Sequence, residues 1–142
     1  MKNVMQMLQG KTHKVLSIAP DASVFEALQL MADKNVGALV VLENGRLAGI
    51  FSERDYARKV ALLGKSSKDL AVRAIMTDKV IHASPEQTVE QCMVLMTDKH
   101  IRHLPVVGAG VVIGMISIGD VVKEMLFEQQ QVIAQLESYI HQ

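Results

Sequence analysis

The chain contains two copies of one sequence unit. When the sequence is shifted by 65 residues, the 49 residues of Thr12–Val60 align with Thr77–Met125 without a gap, and 15 of the 49 pairs are identical. The identical pairs include Pro20/Pro85, Met31/Met96, Gly49/Gly114, Ser52/Ser117 and Asp55/Asp120. Such a repeat predicts two similar structural copies that stack face to face with pseudo-twofold symmetry. Sites at their interface are then expected in pairs.

The repeat also sets the expected domain organisation. A length of 142 residues suits one compact domain, whereas a copy of about 65 residues is marginal alone. We therefore expect both copies to share one core. The sequence is divided into repeat 1 at residues 11–63, a polar linker at 64–76, repeat 2 at 77–128 and a C-terminal helical tail at 129–142.

Charge and cysteine content exclude several classes of protein. Lys and Arg total 15, as do Asp and Glu, which argues against a broad nucleic-acid or acidic-membrane footprint. The single cysteine, Cys92, cannot form a disulfide within the chain, which is typical of a reducing compartment. It aligns with Ala27 and is interpreted as a buried small residue rather than a nucleophile.

Residues 1–10 lack the apolar run of a signal peptide, and no stretch approaches a membrane span. The predicted location is the cytoplasm.

Each copy predicts the order β-α-β-β-α, and hence an α+β fold. The first strands are Val15–Ala19 and Val80–Ser84, and capping boxes at Ser23 and Thr88 begin the first helices. Two hairpins follow, Ala38–Leu42 with Leu47–Phe51 and Leu104–Val107 with Val111–Ile116. The second helices are Ser52–Leu63 and Ser117–Glu128, and Val72–Met76 predicts a short helical turn. The apolar stripe of the tail has two open interpretations, packing on its own domain or on a partner subunit.

One motif recurs where each hairpin runs into its second helix. The pattern is Gly-φ-φ-Ser-x-x-Asp, where φ is apolar, and it begins at Gly49 and Gly114. Glycine permits close approach of a ligand or backbone, and serine lies beside the unpaired amides of a helix start, which suit a phosphate. The aspartate can accept hydrogen bonds from the two adjacent hydroxyls of a ribose. The alternative is that Ser-x-x-Asp only caps the helix, but two copies in the same register favour a paired site.

A second feature precedes each hairpin. Arg102 and His103 stand between an apolar helix and an apolar strand, where a cation is a candidate anion anchor. The alternative is a surface pair at a helix end that favours the helix dipole.

With these residues in place, the chain resembles a tandem pair of CBS domains, named after cystathionine β-synthase. The runs Ile101–Val107 and Gly49–Tyr56 strengthen the resemblance, which covers residues 11–126 and is closest to small stand-alone bacterial CBS-pair proteins. The resemblance implies one module with two clefts for adenosyl ligands: AMP, ADP, ATP, NAD or S-adenosylmethionine. It also implies a homodimer formed through helices.

The resemblance assigns the ligand-binding residues. Ribose binding falls on Asp55 and Asp120, and the hydroxyl near the phosphate falls on Ser52 and Ser117. Each cleft takes its other wall from the opposite repeat. Cleft one would combine Ser52, Arg54 and Asp55 with Arg102 and His103, and cleft two would combine Ser117 and Asp120 with Val36, Gly37 and Ala38. The early strands, through Lys14, Val15, Val80 and His82, would hold the adenine. Ile101 and Pro105 complete the expected nucleotide-binding residues.

The two clefts are expected to differ in charge. Cleft one collects Arg54, Arg102 and His103, whereas cleft two has Gly119 in place of Arg54. Because charge-assisted bonds to phosphate are the stronger ones, a phosphorylated ligand is expected to prefer cleft one. Cleft two is expected to be weaker or to take an uncharged adenosyl group.

Three function classes follow from the sequence. The leading hypothesis is a regulatory module for nucleotide or energy sensing that changes shape or partner affinity when it binds its ligand. The alternative is a ligand-independent dimeric adaptor. An enzyme is not expected: the five histidines lack metal-ligand spacing, and neither a P-loop nor a serine nucleophile motif is present. No catalytic cofactor, metal, nucleic-acid or membrane partner is predicted, and the regulated protein stays unnamed.

Overall fold

A computed structural model describes residues 2–10 and 15–141. Its elements in chain order are α1 Val4–Gln9, β1 Ser17–Ile18, α2 Val24–Lys34, β2 Ala38–Glu43, β3 Arg46–Ser52, α3 Glu53–Tyr56, a π-helical turn Ala57–Ala61, α4 Val72–Ile75, α5 Val89–Lys99, β4 His103–Gly108, β5 Val111–Ser117 and α6 Ile118–Ile140. The predicted α+β class and the hairpin positions are confirmed.

The described residues divide into two compact units. The repeat-1 unit contains residues 15–81 and 109–112, and the repeat-2 unit contains residues 2–10, 82–108 and 113–141. The start of the chain therefore belongs with the second repeat rather than the first.

The repeat-1 unit is built on a three-stranded sheet. β1 pairs parallel with β2, and β2 pairs antiparallel with β3. The hairpin turn is Asn44–Gly45, and both residues have positive φ, 53° and 78°. A turn with this backbone conformation matches the twist of the two strands, and Asn-Gly is the residue pair that adopts it most readily. The sheet and α2 bury a continuous apolar core, comprising Val24, Ala27, Met31, Leu39, Val41, Phe51, Val60, Val72 and Ile75.

The repeat-2 unit has the same hairpin but a weaker first strand. β4 and β5 form a two-stranded sheet, and the predicted strand Val80–Ser84 is reduced to one parallel bridge between Ala83 and Val106. In repeat 1 the amide of Val40 donates to the carbonyl of Leu16 at 3.2 Å. Pro105 takes the place of Val40 in repeat 2, and it has no amide hydrogen to donate. The second parallel pair is therefore lost.

A short helix from before each repeat packs on the other repeat. The amide of Val72 in α4 donates to Ala22 of repeat 1 at 2.8 Å, and the amide of Val4 in α1 donates to Gln87 of repeat 2 at 2.8 Å. Ala22 and Gln87 are equivalent positions. The predicted turn at Val72–Met76 is confirmed. It lies inside the region predicted as a linker, yet Val72 and Ile75 belong to the repeat-1 core.

The last helices of the two repeats differ in length. In repeat 1 the helical segment after β3 ends with the π-helical turn at Ala61, close to the predicted end at Leu63. In repeat 2 the second helix and the predicted tail form one continuous helix, α6, of 23 residues.

Candidate functional site

Both Ser-x-x-Asp motifs cap the helix that follows them. Asp55 Oδ2 accepts hydrogen bonds from the Ser52 amide at 3.0 Å and the Ser52 hydroxyl at 3.1 Å, and the Asp55 amide donates to Ser52 Oγ at 3.2 Å. In repeat 2 the Ser117 amide donates to Asp120 Oδ2 at 2.8 Å, and the Asp120 amide donates to Ser117 Oγ at 3.1 Å. The capping interpretation is thus realised in both copies. It fixes each carboxylate at a strand-to-helix junction.

Asp55 has two further partners within the repeat-1 unit. Thr77 Oγ1 donates to Asp55 Oδ1 at 3.0 Å, and the ammonium of Lys59 lies 3.0 Å from the same oxygen. Asp55 is only 7% exposed. A carboxylate offers about four lone-pair directions, so these four contacts use its full acceptor capacity. Ribose hydroxyls could reach Asp55 only by displacing one of them.

Lys59 is the partner of Asp55 that can leave most readily. Its side chain is 43% exposed, and its ammonium also donates to the Ile75 carbonyl at 3.0 Å. Lys59 therefore connects Asp55 to the end of α4. The sequence analysis did not identify it, although the i, i+4 spacing of Asp55 and Lys59 on a helix was the available signal. Thr77 was also missed, and its contact has no local sequence signal.

The motif glycines make room for the short helices. A Cβ on Gly49 would lie 2.7 Å from the Thr77 carbonyl oxygen, and a Cβ on Gly114 would lie 2.5 Å from a methyl of Leu8. Close backbone approach, one of the two expected roles of this glycine, is therefore what Gly49 provides. It lets the segment after α4 bridge to β3 through Ile50 and Thr77.

The Asp120 motif has different neighbours within the repeat-2 unit. Glu124 stands where repeat 1 has Lys59, and its Oε1 lies 3.1 Å from the ammonium of Lys2. Asp120 is partly buried rather than buried. The carboxylate of Asp120 is therefore followed one turn later by an acid instead of a base.

Each motif adjoins the segment that precedes the hairpin of its own repeat. The Ile118 amide donates to the Arg102 carbonyl at 2.8 Å, and the equivalent Glu53 amide donates to the Gly37 carbonyl at 3.1 Å. Arg102 is exposed and His103 is partly buried. The structure thus brings Arg102 beside the Ser117 motif and Gly37 beside the Ser52 motif.

The other predicted ligand residues are placed as follows. Arg54 and His82 are exposed, Val15, Val36, Val80 and Ile101 are partly buried, and Ala38 and Pro105 are buried. Lys14 lies outside the described residues. Clefts one and two each combine residues of both units, and their composition stays a prediction.

Several exclusions can be made for residues 2–10 and 15–141. Within them, no group of three or more His, Cys, Asp or Glu side chains is arranged to hold a metal ion. The helices of the same residues include none that is long and apolar enough to cross a membrane. Burial raises the pKa of the Cys92 thiol, which keeps it protonated at neutral pH and supports the packing interpretation.

Comparison with known proteins gives the family. The CBS domain model matches twice, at residues 11–62 and 72–126. The mitochondrial CBS domain-containing protein CBSX3 of Arabidopsis thaliana is 46% identical over 125 residues, which cover 84% of this chain and 61% of that protein. The chain thus spans less than two thirds of this relative.

Solved structures agree. The CBS domain structure of NE2398 has 49% identity and a TM-score of 0.84, covering 88% of this chain and 98% of that one. The CBS domain pair of MJ0100, determined with 5′-methylthioadenosine and S-adenosylmethionine, shares the fold at 24% identity, a TM-score of 0.78 and coverage of 92% and 98%. With two matched domains over most of its length, the chain belongs to the CBS domain family.

Proposed function

We propose that this CBS pair is a regulatory module that binds an adenosyl ligand and thereby changes its conformation or its affinity for a partner protein. The observation that carries the proposal is the doubled motif, which fixes a carboxylate at the same strand-to-helix junction in both repeats. Family membership supports it, as does the MJ0100 pair with its two adenosyl compounds. The adenosyl group is common to AMP, ADP, ATP, NAD and S-adenosylmethionine. We expect the protein to bind the nucleotides more tightly than S-adenosylmethionine.

The surroundings of Asp55 supply a mechanism for sensing. A ribose diol that binds Asp55 must displace an existing partner, and Lys59 is the half-exposed one. Displaced Lys59 also releases the Ile75 carbonyl at the end of α4. The ligand would then favour the state in which α4 is less restrained, and differential affinity for two states is what drives such a change. A phosphate on the ligand would gain the released ammonium as a partner.

Isothermal titration with AMP, ATP, NAD and S-adenosylmethionine tests the proposal. The wild-type protein is expected to bind at least one of them, and Asp55→Asn or Asp120→Asn is expected to weaken binding about tenfold or more, the loss of one or two hydrogen bonds to a charged group. Absence of heat and of any thermal shift with all four ligands would contradict it. That outcome would favour the dimeric adaptor, the second candidate function, in which the motifs serve only as caps.

The position of Arg102 can be decided in the same experiment. The resemblance groups Arg102 and Arg54 with Asp55, whereas the backbone contact of Arg102 is with the Ser117 motif. Double-mutant cycles on AMP affinity combine Arg102→Ala with Asp55→Asn and, separately, with Asp120→Asn. Residues that share a ligand are non-additive. Coupling with Asp55 would support cleft one as the phosphate site, and coupling with Asp120 alone would overturn that grouping.

Location and catalysis complete the proposal. A cytoplasmic location is supported by the single buried Cys92, which is typical of a reducing compartment, although one relative is named as mitochondrial.

We propose no catalytic activity, and a multiple-turnover assay with ATP and NAD tests this. Product formation that scales with protein concentration would contradict it.

A further inference from the structure

The C-terminal part of α6 is a helix without packing partners among the described residues. Its first turns are held by the repeat-2 unit: Val121 is buried, and the Lys2 amide donates to Glu128 Oε1 at 3.0 Å. From Gln129 to His141 every residue is exposed, and the CBS domain match ends at residue 126. A helix of about 12–15 residues is marginal in water without tertiary contacts. The domain fold that defines the family therefore contributes little to the stability of this segment, and its apolar face is available to a partner.

The exposed apolar residues of α6 follow a heptad repeat. Counting from Val122, alternating steps of four and three residues define one line along the helix, which we call the α6 seam: Val122, Leu126, Gln129, Ile133, Leu136 and Ile140. The five apolar members are between 41% and 74% exposed. An average spacing of 3.5 residues is the pattern that keeps one seam facing a second helix in a left-handed coiled coil. A helix that covered only its own domain would not need this spacing on its exposed side.

We propose that the α6 seam is a parallel, two-stranded coiled coil with a second copy of this chain. In heptad terms, Leu126, Ile133 and Ile140 are at a, and Val122, Gln129 and Leu136 are at d. In the exposed tail, isoleucine at both a positions with leucine at the d position between them is the pattern that favours parallel dimers. The reversed pair, Val122 and Leu126, lies on the turns next to the domain. The partner is therefore expected to carry the same pattern in the same register, which a second copy does by definition.

Gln129 selects the parallel arrangement. In a parallel in-register pair this d-position amide faces its own counterpart, and the two amides can hydrogen-bond to each other. In an antiparallel pair it would face Leu126, Ile133 or Ile140 instead, because a positions then oppose d positions. A buried amide without a partner is costly, and a single polar core residue is a known determinant of register.

The α6 seam and its flank expose enough apolar surface for a specific dimer interface. Its flank adds two more exposed apolar side chains, Val132 and Tyr139, at 54% and 78%. Seven side chains that offer on the order of 100 Å² each present about 700 Å² per chain, close to the ~800 Å² that one partner contributes to a standard specific interface. Since Gln130 and Glu137 lie on the other flank, no like charges oppose one another across a parallel seam.

Sedimentation equilibrium of the full chain tests the proposal. The seam variant carries Ile133→Glu and Leu136→Glu, and the matched control carries Gln131→Glu and Ser138→Glu, which add the same charge on the opposite face of α6. We expect the dimer dissociation constant to rise at least tenfold in the seam variant and to change less than threefold in the control. We also expect the seam variant alone to lose helix signal in circular dichroism. A monomeric wild type, or equal dissociation constants for both variants, would overturn the proposal and leave the face to a different protein.

Disulfide trapping tests the orientation. In a Cys92→Ala background, chosen because Ala27 occupies the equivalent buried position of repeat 1, Leu136→Cys is oxidised and separated on a non-reducing gel. Leu136 is a d position, and this variant keeps Gln129. A parallel in-register seam places the two thiols opposite each other, so a covalent dimer is expected, while Gln131→Cys on the outer face should yield none. A dimer by sedimentation that cross-links no better through position 136 than through 131 would overturn the parallel arrangement.

Discussion

The motifs around Asp55 and Asp120 have the same sequence pattern and the same cap, but they stand in different surroundings. Asp55 is buried and holds Thr77 and Lys59 in addition to the cap. One turn after Asp120 the lysine is replaced by Glu124, which lies beside Lys2 instead. The difference shows that both copies of the motif still cap a helix, while residues outside the motif decide which charges lie near each carboxylate. In repeat 1 the carboxylate also holds the unit together, and a ligand must compete with that role.

The largest difference is expected when the two aspartates are removed. Asp55→Ala should lower the free energy of unfolding by about 3 kcal/mol, because it deletes a cap and leaves the partly buried hydroxyl of Thr77 without its acceptor. Asp120→Ala also deletes a cap, and it should cost less because Asp120 is only partly buried. Urea denaturation followed by circular dichroism measures both. Thr77→Val, which removes one partner and keeps Asp55, should fall between them. Equal losses for the two aspartates would contradict this expectation.

The motif glycines should give a smaller difference. At Gly49 an added Cβ meets the Thr77 carbonyl, which is fixed by its bridge to Ile50, whereas at Gly114 it meets the tip of Leu8, a flexible side chain. Gly49→Ala is therefore expected to cost about 2–3 kcal/mol and Gly114→Ala about 1 kcal/mol, within the range for overpacking. Thermal unfolding of both variants checks the order. Adding Leu8→Ala to Gly114→Ala should recover part of its loss, and no recovery would contradict the steric explanation.

The hairpin turns should give the smallest difference. Asn44 and Ala109 are equivalent and both have positive φ, 53° and 52°. Asparagine tolerates this region, whereas alanine is strained there. Ala109→Asn should therefore stabilise the protein, and Asn44→Ala should destabilise it, each by about 0.5–1 kcal/mol. Differential scanning calorimetry of the two single variants and the double exchange measures this. A destabilised Ala109→Asn would mean that the side chain at position 109 makes contacts that outweigh backbone strain.

Much of each repeat was predictable because its signals are local. The Asn-Gly turn, the capping residues Ser23 and Thr88 and the strand-to-helix motifs are short patterns whose structure depends mainly on neighbouring residues. The predicted strand Val80–Ser84 failed for a reason that was also visible in the sequence, the proline at position 105. The clefts were predicted by resemblance, and the partners of Asp55 were not predicted at all, because Thr77 is 22 residues away.

The sequence by itself determined the duplication, the α+β class, the hairpins and the capped helix starts, since periodicity and turn chemistry act over a few residues. Tertiary structure decided which short helix packs on which repeat, since Val72 and Val4 find equivalent partners only after the chain has folded. It also decided the surroundings of the two aspartates. The acceptor capacity of Asp55 is filled by its four contacts, whereas Asp120 is followed by Glu124, which lies beside Lys2. Burial and charge pairing depend on residues far apart in the chain.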